Sequence, residues 1–314
     1  IIASMRATRG ATVDELVSLA RPRLQRMLAH GTTTVEIKTG YGLSTDSELN
    51  MLEAVLRLSA SDQLDIVATF MPAHAVPPAE ERHEYVRRII EEMMPRAQAM
   101  LQTAASKNLP HFVDVFCDRG YFTYEDTKRI FDAGRKHGFA LKVHADEFEN
   151  LGATTLATEY GAVSADHLLN ISDREIELLA RSQTAAVLLP GTSFYLNLAE
   201  HAPARKMIEH GAVVALGSDF NPGSCHIFSL PMIFGLACLH LKMTAEESLT
   251  ALTLNAAHAV GLGHDRGMLR EGYRADITIC DVASLEEIPY NLGWNPVATV
   301  IKSGVCVVSD KRSG

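Results

Sequence analysis

Three features of this 314-residue sequence predict an α/β fold, a (β/α)8 TIM-like barrel with a small β module attached. Short apolar runs alternate with longer stretches of helical periodicity, the rhythm of βαβ units. The runs are almost continuously apolar, as parallel strands buried on both faces should be. Imidazoles and carboxylates gather where those runs end, which is where such barrels place their chemistry.

Seven strands are expected: "TTTVEIK" (32–38), "LDIVATFMPA" (64–73), "FVDVFC" (112–117), "ALKVHA" (140–145), "AVSADH" (162–167), "TAAVLLP" (184–190) and "AVVALGSD" (212–219). The segments between them carry helix signals. "VDELVSLARPRLQRMLAHG" ends on a glycine stop, and "TYEDTKRIFDAGRKHG" opens on a threonine cap and also ends on glycine. "SDREIELLARSQ" places Ser172 and Glu175 at the capping-box spacing. The stretch 79–107 is helical, and its Met93, Met94 and Met100 read as ordinary core.

A closed barrel has eight units. An open one exposes two sheet edges at a cost. The eighth unit is therefore expected upstream of Ile1, as the first strand. An open doubly wound sheet would need a glycine-rich phosphate turn after its first strand, and no GxGxxG occurs. Residues 1–266 are assigned to the barrel, and 267–314 to part of a small β module, a sandwich whose other strands would come from the N-terminal side.

Composition narrows the function. The chain is 47% hydrophobic and 21% charged, which supports a large core. A formal charge of -9 argues against nucleic acid or an anionic membrane as partner, because both select basic faces. No apolar run reaches the roughly 20 residues that span a bilayer. Five scattered cysteines without a CxxC spacing read as reduced thiols of a cytoplasmic protein.

The strand ends then supply Lys38 and Tyr41, His74, Cys117 and Asp118, His144 and Glu147, Asp166 and His167, and Ser218, Asp219, Asn221 and Gly223. A single histidine is more often a satisfied polar group than a ligand. His30, His137 and His210, each before a helix-ending glycine, fit that ordinary role. Four groups at four strand ends, His74, His144, His167 and Asp219, point to a shared site. His144 and Asp219 suit a divalent metal, which lowers the pKa of a bound water toward ~7. Glu147 or Asp219 can then take the proton, and His167 can polarise a carbonyl. Asp146 and Glu149 are expected to cap the helix that follows.

"VHADEF", "SADH" and "LGSDFNPGS" resemble the amidohydrolase superfamily, and specifically its imidazolonepropionase family. "TTTVEIKTGYGL", "FMPAHAVP", "GTSFYL" and "ADITICD" extend the resemblance over nearly the whole chain. It implies hydrolysis of the ring C–N bond of 4-imidazolone-5-propanoate, a small-molecule substrate, to N-formimino-L-glutamate in histidine degradation. It implies one divalent metal, Zn or Fe, held in part by the residues matching His144 and Asp219. Glu147 matches the proton-handling glutamate, and His167 matches the histidine beside the metal-bound water. Tyr41, His74, Glu147, Asn221, Gly223 and Ser224 match substrate-binding positions. Enzymes that it resembles are often dimers, so a homodimer is compatible with it. The family's HxH pair and its following arginine have no counterpart in these residues. The expectation is therefore that the 314 residues alone bind metal weakly or not at all. The competing readings are another amidohydrolase, such as a purine or pyrimidine deaminase, and a non-catalytic fragment that keeps the fold.

Overall fold

The computed structural model describes residues 2–309 apart from 62, 79 and 104–108. Seven parallel strands follow chain order: β1 (Thr34–Lys38), β2 (Asp65–Ala73), β3 (Phe112–Cys117), β4 (Ala140–Ala145), β5 (Ser164–His167), β6 (Ala185–Leu188) and β7 (Val214–Leu216). Every strand expected from the sequence is present, with its ends trimmed by up to three residues. β1 and β7 are the two edges, and among the described residues they are not paired with each other. The sheet is thus seven units of the barrel, as the count of apolar runs predicts.

Helices return the chain between strands, and their caps follow the sequence signals. Thr12, Thr123, Ser172 and Thr244 each open a helix with a complete capping box. His30 and His137 close their helices before glycine, the ordinary role assigned to them. The stretch 79–107 is not one uniform helix. It runs as Arg82–Arg88, a π-helical turn Ile89–Met93 and a second helix Met94–Thr103. Pro95 has no N–H to give the preceding turn, and its ring crowds that turn's carbonyl, so the helix widens there. Met93 and Met94 are fully buried. Residues 104–107 lie outside the described residues.

One apolar core joins these helices to the sheet, with Leu52, Ile66, Phe70, Tyr85, Phe122, Phe131 and Val143 at its centre. Burying each such side chain contributes about 1.5–3 kcal/mol. Buried Tyr85 donates its hydroxyl to the Pro72 carbonyl at 2.9 Å, which satisfies its polar tip and fixes the end of β2.

Strands β8 (Ile277–Cys280), β9 (Val297–Lys302) and β10 (Val305–Ser309) form a separate antiparallel sheet in the order β10-β9-β8. It packs on the end of the helix Val13–Ala29. Thr278 Oγ1 donates to the Gly31 carbonyl at 3.1 Å, and Asn295 Nδ2 to the Ala29 carbonyl at 3.0 Å. Gly31 has φ +90°, and a Cβ there would lie 2.9 Å from the Thr278 methyl, so only glycine fits this contact. No helix among the described residues is long and apolar enough to cross a membrane.

Candidate active site

A cleft lined at the C-terminal ends of the strands by Tyr41, His74, His144, Glu147, His167 and Asp219 continues along β1 and β7 to Met27 and Val297, with a total volume of about 1660 Å³. The strand ends that carry them are conformationally costly. Asp146, His167, Leu168 and Asp219 have φ between +48° and +80°, a region that non-glycine residues rarely adopt. All four follow or end β4, β5 or β7, so the strained backbone gathers at this rim.

The imidazoles form a chain across the cleft. His74 stands edge-on to Tyr41 with ring centroids 4.9 Å apart, then 6.3 Å from His144, which is 5.1 Å from His167. His167 Nε2 lies 3.6 Å from Glu147 Oε2. Both of these groups are buried, so water does not screen one from the other. Burial, and then neighbouring His144, lower the His74 pKa to about 4, so its ring is neutral at neutral pH. The Gly40 carbonyl lies 3.0 Å from His74 Nδ1, which leaves Nε2 toward the cleft. Burial, with Asp219 and Glu147 nearby, pushes the Tyr41 phenol upward and keeps it a hydrogen-bond donor.

The loop carrying Tyr41 is built by Glu48. Its fully buried carboxylate accepts the N–H groups of Gly40, Gly42 and Leu43 at 2.7–2.8 Å. A Cβ at Gly40 would lie 2.7 Å from the Met71 carbonyl, which is why the turn of "TGYG" needs glycine there. This buried anchor has a sequence signal, an acid in the first turn of an amphipathic helix, but nothing local says that it turns inward.

Glu147 is held by its backbone neighbours. Asp118 Oδ2 accepts the N–H of Phe148 at 2.9 Å, and Oδ1 accepts that of Glu149 at 3.0 Å. Asn170 Nδ2 donates to the Glu147 carbonyl at 2.8 Å. The helix Ala153–Glu159 is capped by Gly152 without a side-chain bond, so Asp146 and Glu149 do not cap it as expected. Asp146 instead accepts the hydroxyl of Thr154 at 2.6 Å, and burial pushes its carboxyl up to about 7. Glu149 lies 3.4 Å from Arg119 on the surface.

At the far wall, Asp219 Oδ2 accepts the Thr192 hydroxyl at 2.5 Å. Asn221 spends its side chain on its own loop. Oδ1 takes the N–H groups of Gly223 and Ser224 at 2.8 Å, and Nδ2 donates to the Asp219 carbonyl at 2.8 Å. Gly223 and Ser224 thus shape the cleft wall as part of one turn. Cys117 is a buried core thiol, pushed up to about 11 by burial, and it does not line the cleft.

Beside the rim lies a layer of charge, buried at Asp114, Lys142 and Asp166 and half-buried at Glu36 and Lys38. Glu36, Lys38, Asp114, Lys142 and Asp166 sit at alternate strand positions and so share the interior face. Lys142 Nζ is 2.9 Å from Glu36, and Lys38 Nζ is 2.7 Å from Asp114. Burial opposes the charge on Glu36, but Lys142 and then Lys38 outweigh it and hold its carboxyl at about 2. Asp114 Oδ1 lies 3.1 Å from His144 Nδ1. Asp114, His144 and Asp166 bring potential ligand atoms within 4.8 Å of one another, but the Lys38 ammonium already sits between the two carboxylates and Asp114 engages His144 Nδ1, so here the acids hold the histidine. The sequence reading named His144 and Asp166 but missed Asp114. Its signal was an acid alone in an apolar strand, "FVDVFC".

The curled parallel sheet and the rim of histidines and carboxylates define a metal-dependent hydrolase barrel. A family profile described as the amidohydrolase family matches residues 3–308, and the chain belongs to that family. Solved structures share the fold. A 5-methylcytosine deaminase from Klebsiella pneumoniae superposes with a TM-score of 0.77 at 18% identity, covering 98% of this chain and 78% of its own. An adenosine deaminase from Xanthomonas campestris, with bound zinc, gives 0.73 at 16% identity over 95% of this chain and 71% of its own. Closer sequence relatives narrow the family. The imidazolonepropionase of Brevibacillus brevis is 48% identical over 308 residues, 98% of this chain and 71% of that protein. That of Alkaliphilus oremlandii is 46% identical over 310 residues, 98% of this chain and 72% of that protein. Within the amidohydrolases, the chain is a member of the imidazolonepropionase family.

Proposed function

We propose that this chain supplies Glu147 as the proton carrier, and part of the metal site, of a protein that hydrolyses 4-imidazolone-5-propanoate to N-formimino-L-glutamate. The observation that carries the reading is the joint one: 46–48% identity to imidazolonepropionases, with His144, Glu147, His167 and Asp219 around one cleft. The deaminases share the fold at 16–18% identity, which gives no ground for moving their substrates to this chain.

The donor set fits a divalent metal, zinc or iron. His144 has Nδ1 engaged by Asp114, which leaves Nε2 as the ligand atom, and Asp219 keeps Oδ1 beside the oxygen bound by Thr192. These are two of the three or more protein ligands that a catalytic zinc takes. The metal would supply Lewis-acid activation of the attacking water and of the ring carbonyl.

The residues of the chain account for the proton path. A water oxygen attacks the ring carbonyl carbon, and Glu147 takes the proton that it loses. His167, beside Glu147, faces the oxygen that gains charge. When the ring C–N bond breaks, Glu147 returns the proton to the leaving nitrogen, and the carbonyl carbon becomes a carboxylic acid that loses the second water proton to solvent. Tyr41 and neutral His74 hold the polar edge of the ring, and the loop Asn221–Ser224 closes the opposite wall.

The test is turnover of 4-imidazolone-5-propanoate by the complete polypeptide supplied with zinc or iron. Ring opening that falls ~10²–10⁴-fold in Glu147→Gln supports the reading, in line with the usual contribution of a general acid–base. A folded, metal-loaded protein that leaves the substrate intact overturns it.

A further inference from the structure

We propose that Lys38, half-buried at the end of β1, is a positioning residue: through Asp114 it sets the orientation of the His144 ring and with it the affinity of the site for metal. The proposal rests on the reading of His144 as a ligand.

Lys38 Nζ lies among three carboxylates, at 2.7 Å from Asp114 Oδ2, 2.9 Å from Glu36 Oε1 and 3.2 Å from Asp166 Oδ2. The ammonium donates hydrogen bonds to Asp114 and Glu36 and is ion-paired with Asp166, so it is held from three sides. Its strongest tether, Asp114, turns its other oxygen to His144 Nδ1 at 3.1 Å. Glu36 is held from the far side by Lys142 at 2.9 Å and by the Thr69 hydroxyl, and Asp166 by the Ser164 hydroxyl at 2.6 Å. No member of this layer can rotate without breaking a bond to another.

Charge makes the same point. Two ammonium groups, Lys38 and Lys142, face three carboxylates, Glu36, Asp114 and Asp166. One negative charge is left over in a layer whose Asp114, Asp166 and Lys142 are buried, where uncompensated charge is costly. Asp114 aims it at His144, on the side away from the cleft. A carboxylate on one nitrogen of an imidazole fixes the tautomer and strengthens the other nitrogen as a donor to a cation. A layer that served packing alone would gain nothing from this surplus.

The test measures zinc affinity by competition with a chromophoric chelator in the complete polypeptide, with circular dichroism to confirm folding. Lys38→Met and Asp114→Asn should each weaken zinc binding ~10–100-fold, the usual effect of losing a group that orients a ligand. The double variant should lose little more than either single one, because both act through one path. Asp114→Asn keeps the side-chain shape and carries the test where Lys38→Met does not fold. His144→Ala separates the two levels of the argument. If it abolishes zinc binding while folded Lys38→Met and Asp114→Asn bind as the parent does, the proposal fails alone. If His144→Ala itself leaves zinc affinity unchanged, the reading of His144 as a ligand fails, and the proposal with it.

Discussion

Asp118 brackets Phe148: its Oδ2 receives the Phe148 N–H at 2.9 Å, while its Oδ1 receives the N–H of the next residue, Glu149, at 3.0 Å. The residue before Phe148 is Glu147, so one buried carboxylate fixes the loop on which the proposed proton carrier rides. Asn170 grips the same loop at the Glu147 carbonyl. Glu147 therefore reaches the cleft from a doubly tethered backbone.

Loosening that loop should damage chemistry more than binding. Asp118→Ala and Asn170→Ala are each expected to lower kcat about 10–100-fold, since misplacing a reacting group by ~1 Å can cost a factor near 10². KM should stay within about threefold, because neither side chain points at the proposed substrate contacts. Steady-state kinetics on the complete polypeptide decide it. A rise in KM at unchanged kcat would show that the loop serves binding instead.

Glu48 offers a stability test at the other wall. Its carboxylate satisfies three buried N–H groups of the Tyr41 loop, and each donor left unpaired costs about 1–3 kcal/mol. Glu48→Ala should lower unfolding stability by about 3 kcal/mol, read from urea curves. Glu48→Gln keeps one acceptor oxygen and should lose less. Equal losses for the two would mean that the side chain matters for packing and not for its bonds.

The acid response of the C-terminal segment follows from Asp265. A hydrogen bond from Arg266 is the largest influence; burial opposes it, but with a further bond from Arg274 the carboxyl is held at about 2, below the ordinary 3.8. A depressed acid stabilises the folded state above its unfolded pKa and stops doing so as pH falls through the folded value. Its contribution is thus complete above about pH 4 and gone near pH 2. The gap in urea midpoint between the parent and Asp265→Asn should shrink across that window. A gap that stays constant from pH 5 to about pH 2 refutes the linkage.

The strands were legible because burial on both faces writes itself as an apolar run, and the capping boxes were legible because their two residues are three apart. His144, Glu147, His167 and Asp219 stood out at strand ends, where an apolar run changes to polar residues. Of the anchors beside them, Lys38 stood at a strand end, but nothing local showed what any of them holds. Asp114 reaches His144 across 30 positions, Lys38 reaches Asp114 across 76, and Lys142 reaches Glu36 across 106. Each looks like an isolated charge in its own strand, and only the register of neighbouring strands makes them one layer. The π-helical turn before Pro95 was hidden for a different reason, since its period differs from an α-helix by less than one residue per turn.

Asp65, at the first position of β2, ties the small antiparallel sheet to the barrel. Its Oδ2 takes Arg266 at 2.7 Å and Lys302 at 2.6 Å, and Lys302 also meets Asp276 at 2.5 Å. Arg266 and Lys302 have only 4% and 8% of their side chains exposed, so water cannot replace the lost partner. Removing one member of a buried ion pair costs more than removing both, because the survivor keeps its desolvation penalty. Asp65→Ala should therefore destabilise the protein by about 3 kcal/mol, at the low end of the usual range since Asp65 is itself a quarter exposed. Lys302→Met should cost less in the Asp65→Ala background than in the parent, because in the parent it strands both Asp65 and Asp276 and in the variant only Asp276. Urea unfolding of the parent, both single variants and the double gives the coupling directly. If the two losses simply add, the ion pairs do not act as one network, and the sheet is held by the contacts of Thr278 and Asn295 with the end of the helix Val13–Ala29 instead.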